Sequence, residues 1–412
     1  MTVARRTVVT LAAAGSALAV AGCAKQGPAT VDQPTGTTTG APGSPSPAST
    51  PTPTPTPEPQ VTMTPSVAEG AQVPVDTLVK VTATLGTLAS VAMTYTDPKA
   101  GKQTVQGTLS PDATTWTAGA LLEPGMTYEL AMKGLSTKGT EATKTSTFRS
   151  QALSLKQQIF PTIASGGTVG VAMPVVVLFD VPVADKATFQ KKMTVTATPA
   201  TEGSWRWLSS TEAHWRPKEL WAPGTKVAIN VDINSIPAGN GTYGQKSVTG
   251  SMTIGRSVIL KADLASHQMQ VVVDGALART VPITGGKAGF ETRSGKKVLM
   301  EKFEKLKMDA NTVGIEPGDP EYYNIPDVQY AMRETNSGEF IHAAPWSTGS
   351  QGKANVSHGC IGVSTDAGAW LFQNCRVGDL IEVTGTKRGL EQGNGWTDWN
   401  ISFDEYKKGS AL

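Results

Sequence analysis

The sequence predicts a mainly β protein, two β-sandwiches followed by a third β-rich domain that carries chemistry, and three observations predict it. Short β-branched and apolar runs, such as 79–84, Val175–Phe179 and Lys226–Val231, are separated by Gly, Pro, Asp and Asn turns, and no long helical period competes with them. A motif recurs: Trp116, Leu121, Pro124-Gly125 and Tyr128-Glu129-Leu130 are matched 99 residues later by Trp215, Leu220, Pro223-Gly224 and Val227-Ala228-Ile229. Two of the chain's four histidines, His342 and His358, stand within 18 residues of Cys360.

Composition narrows the classes. The chain has 412 residues, with 36 Lys and Arg against 34 Asp and Glu and a formal net charge of +2. Without Arg5 and Arg6, which lie in a removable leader, the balance is zero, which argues against a nucleic-acid partner held by bulk positive charge. The length suits two to four domains at roughly 100–200 residues each. Only three cysteines occur, Cys23, Cys360 and Cys375, so a disulfide-stapled scaffold is excluded.

Taken in order, the first element is an address. Arg5-Arg6 precede an apolar run over 8–21, too short at about 14 residues to span a bilayer comfortably. The run ends Val20-Ala21-Gly22-Cys23, which resembles the lipobox of bacterial lipoproteins and implies that 1–22 is a signal peptide and Cys23 the lipidated first residue. An ordinary secretory signal with an incidental cysteine is the alternative, and the arginine pair is a weak signal for twin-arginine export. Residues 23–60 hold ten prolines and no aromatic residue, so they read as a polyproline-like spacer. At about 3.1 Å per residue its reach approaches ~100 Å. The expected location is the extracytoplasmic face of the cell membrane, lipid-anchored and reaching into the wall.

The Trp and Pro-Gly repeat, at the size of one immunoglobulin-like sandwich, places two such domains at 61–150 and 151–255. The tryptophans are expected in the cores and the Pro-Gly pairs in turns. Trp205 and Trp207 flank Arg206, so one face offers a carbohydrate or partner surface, against a core position for at least one of them. His214 has no ligand-type neighbour in the sequence and is read as structural. These domains act as spacers.

The domain over 256–386 carries the reaction. Ser257-Val258-Ile259-Leu260 and Gln270-Val271-Val272-Val273 read as a hairpin with a solvated His267 in its turn, and Gly285-Gly286-Lys287 as a tight turn lacking phosphate-loop spacing. The decisive stretches are Phe340-Ile341-His342-Ala343-Ala344-Pro345-Trp346 and Asn355-Val356-Ser357-His358-Gly359-Cys360-Ile361-Gly362. A thiol becomes a strong nucleophile beside a base, and Gly359 lets backbone N–H groups approach a developing oxyanion. The pattern suits acyl transfer through a thioester. A zinc site on His342, His358 and Cys360 and a Cys360–Cys375 disulfide are the alternatives, with Cys375 better read as a buried free thiol.

His342 and Ser357-His358-Gly359-Cys360 together resemble the signature of the L,D-transpeptidase catalytic (YkuD) domain, and the domain order resembles that of its actinobacterial members. The resemblance implies a mixed β-sandwich with a lid, peptidoglycan cross-linking activity and no cofactor or metal. It implies Cys360 as nucleophile and His342 as general base, oriented by the Ala343 carbonyl. The N–H groups of His358, Gly359 and Cys360 would form the oxyanion hole, supported by Ser357. It places Met308 and Tyr323 (or Tyr322) in the lid, Ser337 and Gly338 along the donor stem, and Trp346 beside the cleft or in the core. Two departures stand out: Gly362 where relatives usually carry Asn or Arg, and Thr292-Arg293-Ser294-Gly295 in place of Thr-Pro-Thr-Gly. The implied partners are stem peptides, a tetrapeptide donor and the amine of a diaminopimelate acceptor. Hydrolysis of the same thioester, making an L,D-carboxypeptidase, and a catalytically weakened wall-binding protein are the alternative functions. The tail over 387–412, with Trp396 and Trp399, is expected to pack on the catalytic domain.

Overall fold

Strict alternation builds the first sandwich: along Thr127–Ser136 every second side chain is buried, the period of a strand with one wet face. A computed structural model describes residues 59–412 together with Gly36, so the leader, Cys23 and nearly all of the spacer lie outside the described residues. In the first sandwich a four-stranded and a five-stranded sheet close over Met93, Trp116, Tyr128, Leu130 and Phe148. The second has two four-stranded sheets around Phe179, Trp205, Trp207, Trp215 and Trp221.

The internal repeat has a physical basis. A Cβ on Gly107 would stand 2.2 Å from the Trp116 ring, and one on Gly203 would stand 2.1 Å from the Trp215 ring. Each sandwich therefore clears one position so that an indole can lie against backbone. Gly125 and Gly224, at φ +71° and +83°, take the left-handed conformation that ends each motif in a turn. The side chains fully buried after each Trp are Leu122 and Trp221, one residue beyond the repeat's Leu121 and Leu220. Trp205 and Trp207 both face the core, each donating its indole N–H inward, to Met193 O at 3.2 Å and Gln190 Oε1 at 2.9 Å. The aromatic platform that alternation offered is absent from the surface because the sheet turns Arg206 outward instead.

Two sheets also form the third domain. One orders Ala276–Pro282, Gln268–Val273, Val258–Asp263, Leu380–Thr384 and Gly295–Val298; the other orders Glu301–Asp309, Asn324–Arg333, Phe340–Ala343 and Ile361–Val363. Helix Thr365–Asn374, capped by the Ser364 side chain on Ala367 N, buries Leu371 in the shared core. Cys375 follows it as a buried free thiol. His267 is half-buried rather than solvated: it holds φ +56° in the tight turn, its carbonyl accepts from Ile283 N at 2.9 Å, and its Nδ1 is enclosed.

The tail lies across two domains. Asp398 accepts from His214 Nδ1 at 3.0 Å, and Glu212, only two residues away along the chain, accepts at His214 Nε2 at 2.9 Å, which corrects the reading of His214 as lacking a ligand-type neighbour; its role as a structural residue stands. The buried Arg216 guanidinium sits 4.5 Å from the Trp399 ring and 4.7 Å from that of Tyr406. Backbone bonds of 2.8 Å from Gly170 to Val377 and from Ala172 to Gly378 join the second sandwich to the catalytic domain.

Candidate active site

Sheet register creates the site. Phe340–Ala343 is buried at every position and runs parallel to Ile361–Val363, with His342 opposite Gly362. Parallel pairing of these two short strands brings the His342 ring and the residue before the second strand, Cys360, to one cavity of about 320 Å³. The lining includes Met308, Tyr323 and Ile325 from the lid, Ser357 and His358 from the turn, and Trp346 at the rim.

His342 Nδ1 donates to Ala343 O at 2.8 Å; a carbonyl only accepts, so that nitrogen carries the proton and Nε2 keeps its lone pair. Burial lowers the His342 pKa below the ordinary 6.5, against a smaller opposing effect of the Ala343 carbonyl, so the ring is neutral at pH 7. Burial pushes the Cys360 thiol up to about 12, a hydrogen bond from the Phe340 backbone working the other way. The resting site is thus a neutral thiol beside a neutral imidazole. Cys360 Sγ donates to Gly338 O at 3.7 Å.

The turn that presents Cys360 is tied by one hydroxyl. Ser357 Oγ donates to Cys360 O at 2.6 Å and accepts from Gly359 N at 3.1 Å, with Gly359 at φ +125°. The Gly359 N–H is therefore engaged by Ser357, which corrects its assignment to the oxyanion hole in this state. Among the described residues no hydrogen bond engages the amides of His358 and Cys360. The His358 ring receives the lid: its Nε2 lies 2.7 Å from Glu321 Oε2, and Glu321 also pairs with Lys287. Phe290 meets the same ring edge-on at 4.8 Å.

The lid register resolves in favour of Tyr323, whose ring lies 5.1 Å from His358, while Tyr322 Oη is drawn to Asp309 at 3.3 Å. Trp346 is 57% exposed with its ring 5.8 Å from His342, so it is a rim residue and not a core aromatic. Ser337 and Gly338 lie outside the cavity lining: Ser337 Oγ accepts from Asn394 Nδ2 at 2.9 Å, and the Gly338 carbonyl holds the thiol. At Gly362 a Cβ would stand 2.9 Å from Thr284 Cγ2 and 3.1 Å from Ala344 Cβ, so the space that a longer side chain needs is filled by Thr284. Among the described residues no three His, Cys, Asp or Glu side chains converge as metal ligands. Sequence reasoning missed Glu321, Lys287, Phe290 and Thr284; of these, only Lys287 sits in a stretch that drew attention.

Residues 257–383 match the family of L,D-transpeptidase catalytic domains (YkuD), and residues 70–237 match a bacterial Ig domain family (Big_10). L,D-transpeptidase 2 of Mycobacterium tuberculosis is 35% identical over 351 residues, covering 85% of this chain and 85% of that one. L,D-transpeptidase 5 of Mycobacterium tuberculosis is 37% identical over 259 residues, covering 61% of this chain and 55% of that one. Among solved structures, an L,D-transpeptidase in complex with imipenem shares 35% identity over 54% of this chain and 99% of its own, with a TM-score of 0.47. An L,D-transpeptidase from Mycobacterium smegmatis shares 36% identity over 55% of this chain and 97% of its own, with a TM-score of 0.46. With tandem Ig-like sandwiches, a YkuD domain and close likeness along most of its length, the chain belongs to the L,D-transpeptidase family, whose work is peptidoglycan cross-linking.

Proposed function

We propose that Cys360 and His342 perform the transfer through a thioester. The observation that carries this reading is the His342 Nδ1 bond to Ala343 O, which leaves Nε2 unprotonated in the cavity that Cys360 also lines. As Cys360 Sγ bonds to the carbonyl carbon at the L-centre of a donor diaminopimelate, its proton passes to His342 Nε2. Collapse of the tetrahedral intermediate breaks the peptide bond, and D-Ala leaves with that proton on its amine. The amine of a second diaminopimelate then attacks the thioester, His342 takes its proton, and the thiol is restored beside a 3→3 cross-link. Amides of His358 and Cys360 are the donors for the oxyanion. Tyr323, Met308 and Trp346 shape the cleft around the stem peptide, and the Gly338 carbonyl sets the thiol's direction.

The same thiol is the expected site of carbapenem acylation, as the family resemblance implies. Lipid on Cys23 and the Pro-rich spacer hold the enzyme on the outer membrane face within reach of the wall.

Incubation of the purified protein with a disaccharide-tetrapeptide, followed by mass spectrometry, tests the reading. Dimer with loss of D-Ala supports transfer. Tripeptide alone makes the chain a carboxypeptidase, and neither product leaves a wall-binding protein.

A further inference from the structure

Next to the Cys360 turn, outside the cavity lining, lies a buried ionic cluster that the mechanism above does not use. Lys297, on the strand Gly295–Val298, has no exposed side-chain surface and donates through Nζ to Glu334 Oε2 and Glu339 Oε2, both at 2.7 Å. Glu339 Oε1 accepts from Arg293 Nη1 at 2.8 Å and from Arg293 N at 3.2 Å, and Arg293 also pairs with Glu391. Burying two carboxylates is costly unless cations meet them, so removing Lys297 leaves charges that the fold cannot hydrate.

The carboxylates bracket a hairpin that touches the reaction centre at three points. Glu334 N donates to Glu339 O at 2.9 Å and Glu339 N to Thr335 Oγ1 at 2.9 Å, closing the turn over 334–339. The Gly338 carbonyl in that turn accepts from the Cys360 thiol. Glu339 Cγ and Oε1 stand 3.6 Å from where a Cβ on Gly359 would lie. The next residue, Phe340, begins the strand that carries His342.

We infer that this cluster is a positioning assembly for the reaction: Lys297, Glu339 and Arg293 fix the hairpin that holds the Cys360 thiol, and their charges set the field at that sulfur. The inference rests on Cys360 being the nucleophile. After burial and the Phe340 backbone bond, Glu334 and Glu339 oppose ionisation of the thiol and Lys297 favours it. Other titratable groups around the turn include Glu391 beyond Arg293, Arg333 over the Phe340 ring, Lys287, Glu321 and His358 on the lid side, and Tyr323 and His342 in the cavity.

Opposite charges give the test opposite signs. The full chain is treated with iodoacetamide at a series of fixed pH values, and alkylation of the Cys360 peptide is followed by mass spectrometry. Lys297→Met is expected to react about tenfold more slowly and Glu339→Gln about threefold faster, with the double variant returning near the parent rate. D-Ala release should follow in kcat, with KM held within about twofold. A structural role alone lowers the melting temperature of every variant without opposite signs or compensation. Folded variants whose rates match the parent, or fall together, overturn the inference. Should Lys297→Met fail to fold, the near-isosteric Glu339→Gln decides alone, since an unchanged or slower rate overturns the inference. Cross-linking that persists in Cys360→Ala would place the failure in the nucleophile assignment instead.

Discussion

His342 in the cavity and His214 at the junction of sandwich and tail are both buried, yet the protein leaves one neutral and charges the other. Burial opposes the charged form in both cases. His342 has only a backbone carbonyl to answer it, and its pKa falls below 6.5. His214 faces the carboxylates of Asp398 and Glu212, which more than offset burial and raise it to about 9. A neutral buried imidazole is a base waiting for a proton; a charged one between two acids is a strut. Burial alone therefore does not mark a catalytic histidine; the partner does.

The sharpest way to break this contrast is at the centre it assigns to chemistry. Cys360→Ala should abolish cross-linked product, a loss of ~10³-fold or more in kcat/KM, read as dimer formed by mass spectrometry. His342→Gln should lower kcat by ~10²–10⁴-fold while the protein keeps its melting temperature to within a few degrees. Activity at the level of the unsubstituted enzyme in either variant would reverse the roles assigned here.

His214→Ala should do the opposite. Leaving Asp398 buried and unpaired costs about 3–5 kcal/mol of folding stability, with kcat nearly untouched where the protein is folded. Chemical denaturation and D-Ala release measured side by side separate the two effects.

The contrast also has a pH signature. Because the His214 pKa is raised, its contribution is complete below pH 6.5 and is lost as pH climbs through about 9. His342 has a depressed pKa, so kcat/KM should decline only as pH drops below 6.5. Melting temperature falling on the alkaline side while kcat/KM falls on the acid side supports the pairing; an acid limb at or above 6.5 contradicts it.

The smallest effect is expected at the other thiol, Cys375, which is buried whereas Cys360 lines the cavity. Cys375 is raised to about 12 by burial, as Cys360 is, but its carbonyl accepts from Lys302, and the Asp379 carboxylate near it opposes its ionisation further. Cys375→Ala should leave kcat unchanged and cost about 1–2 kcal/mol. Iodoacetamide should label it only in denaturant, which peptide mapping detects.

What was legible in the sequence is what lies close along it. The Trp and Pro-Gly repeat disclosed the sandwiches because each motif folds on itself. The Ser357-His358-Gly359-Cys360 run and His342 were legible because a nucleophile and its base leave a short linear pattern. The missed features join distant segments. Lys297, Glu334 and Glu339 look like solvated charges until sheet pairing buries them together, and the buried partner of His214, Asp398, comes 184 residues later, although Glu212 stands only two residues before it. Ser357 takes the Gly359 amide through a turn conformation that no spacing rule announces.

That separation of 184 residues also sets an order of events. Synthesis runs from the N-terminus, so the second sandwich, with Glu212 already beside His214, is complete while the second and fully buried acid, Asp398, has yet to be made. Trp399, whose indole donates to Ala172 O at 2.8 Å, arrives with it. The joint between scaffold and catalytic domain can therefore lock only after nearly the whole chain has emerged, and truncation within the tail should yield a protein that is translated in almost full length yet never assembled.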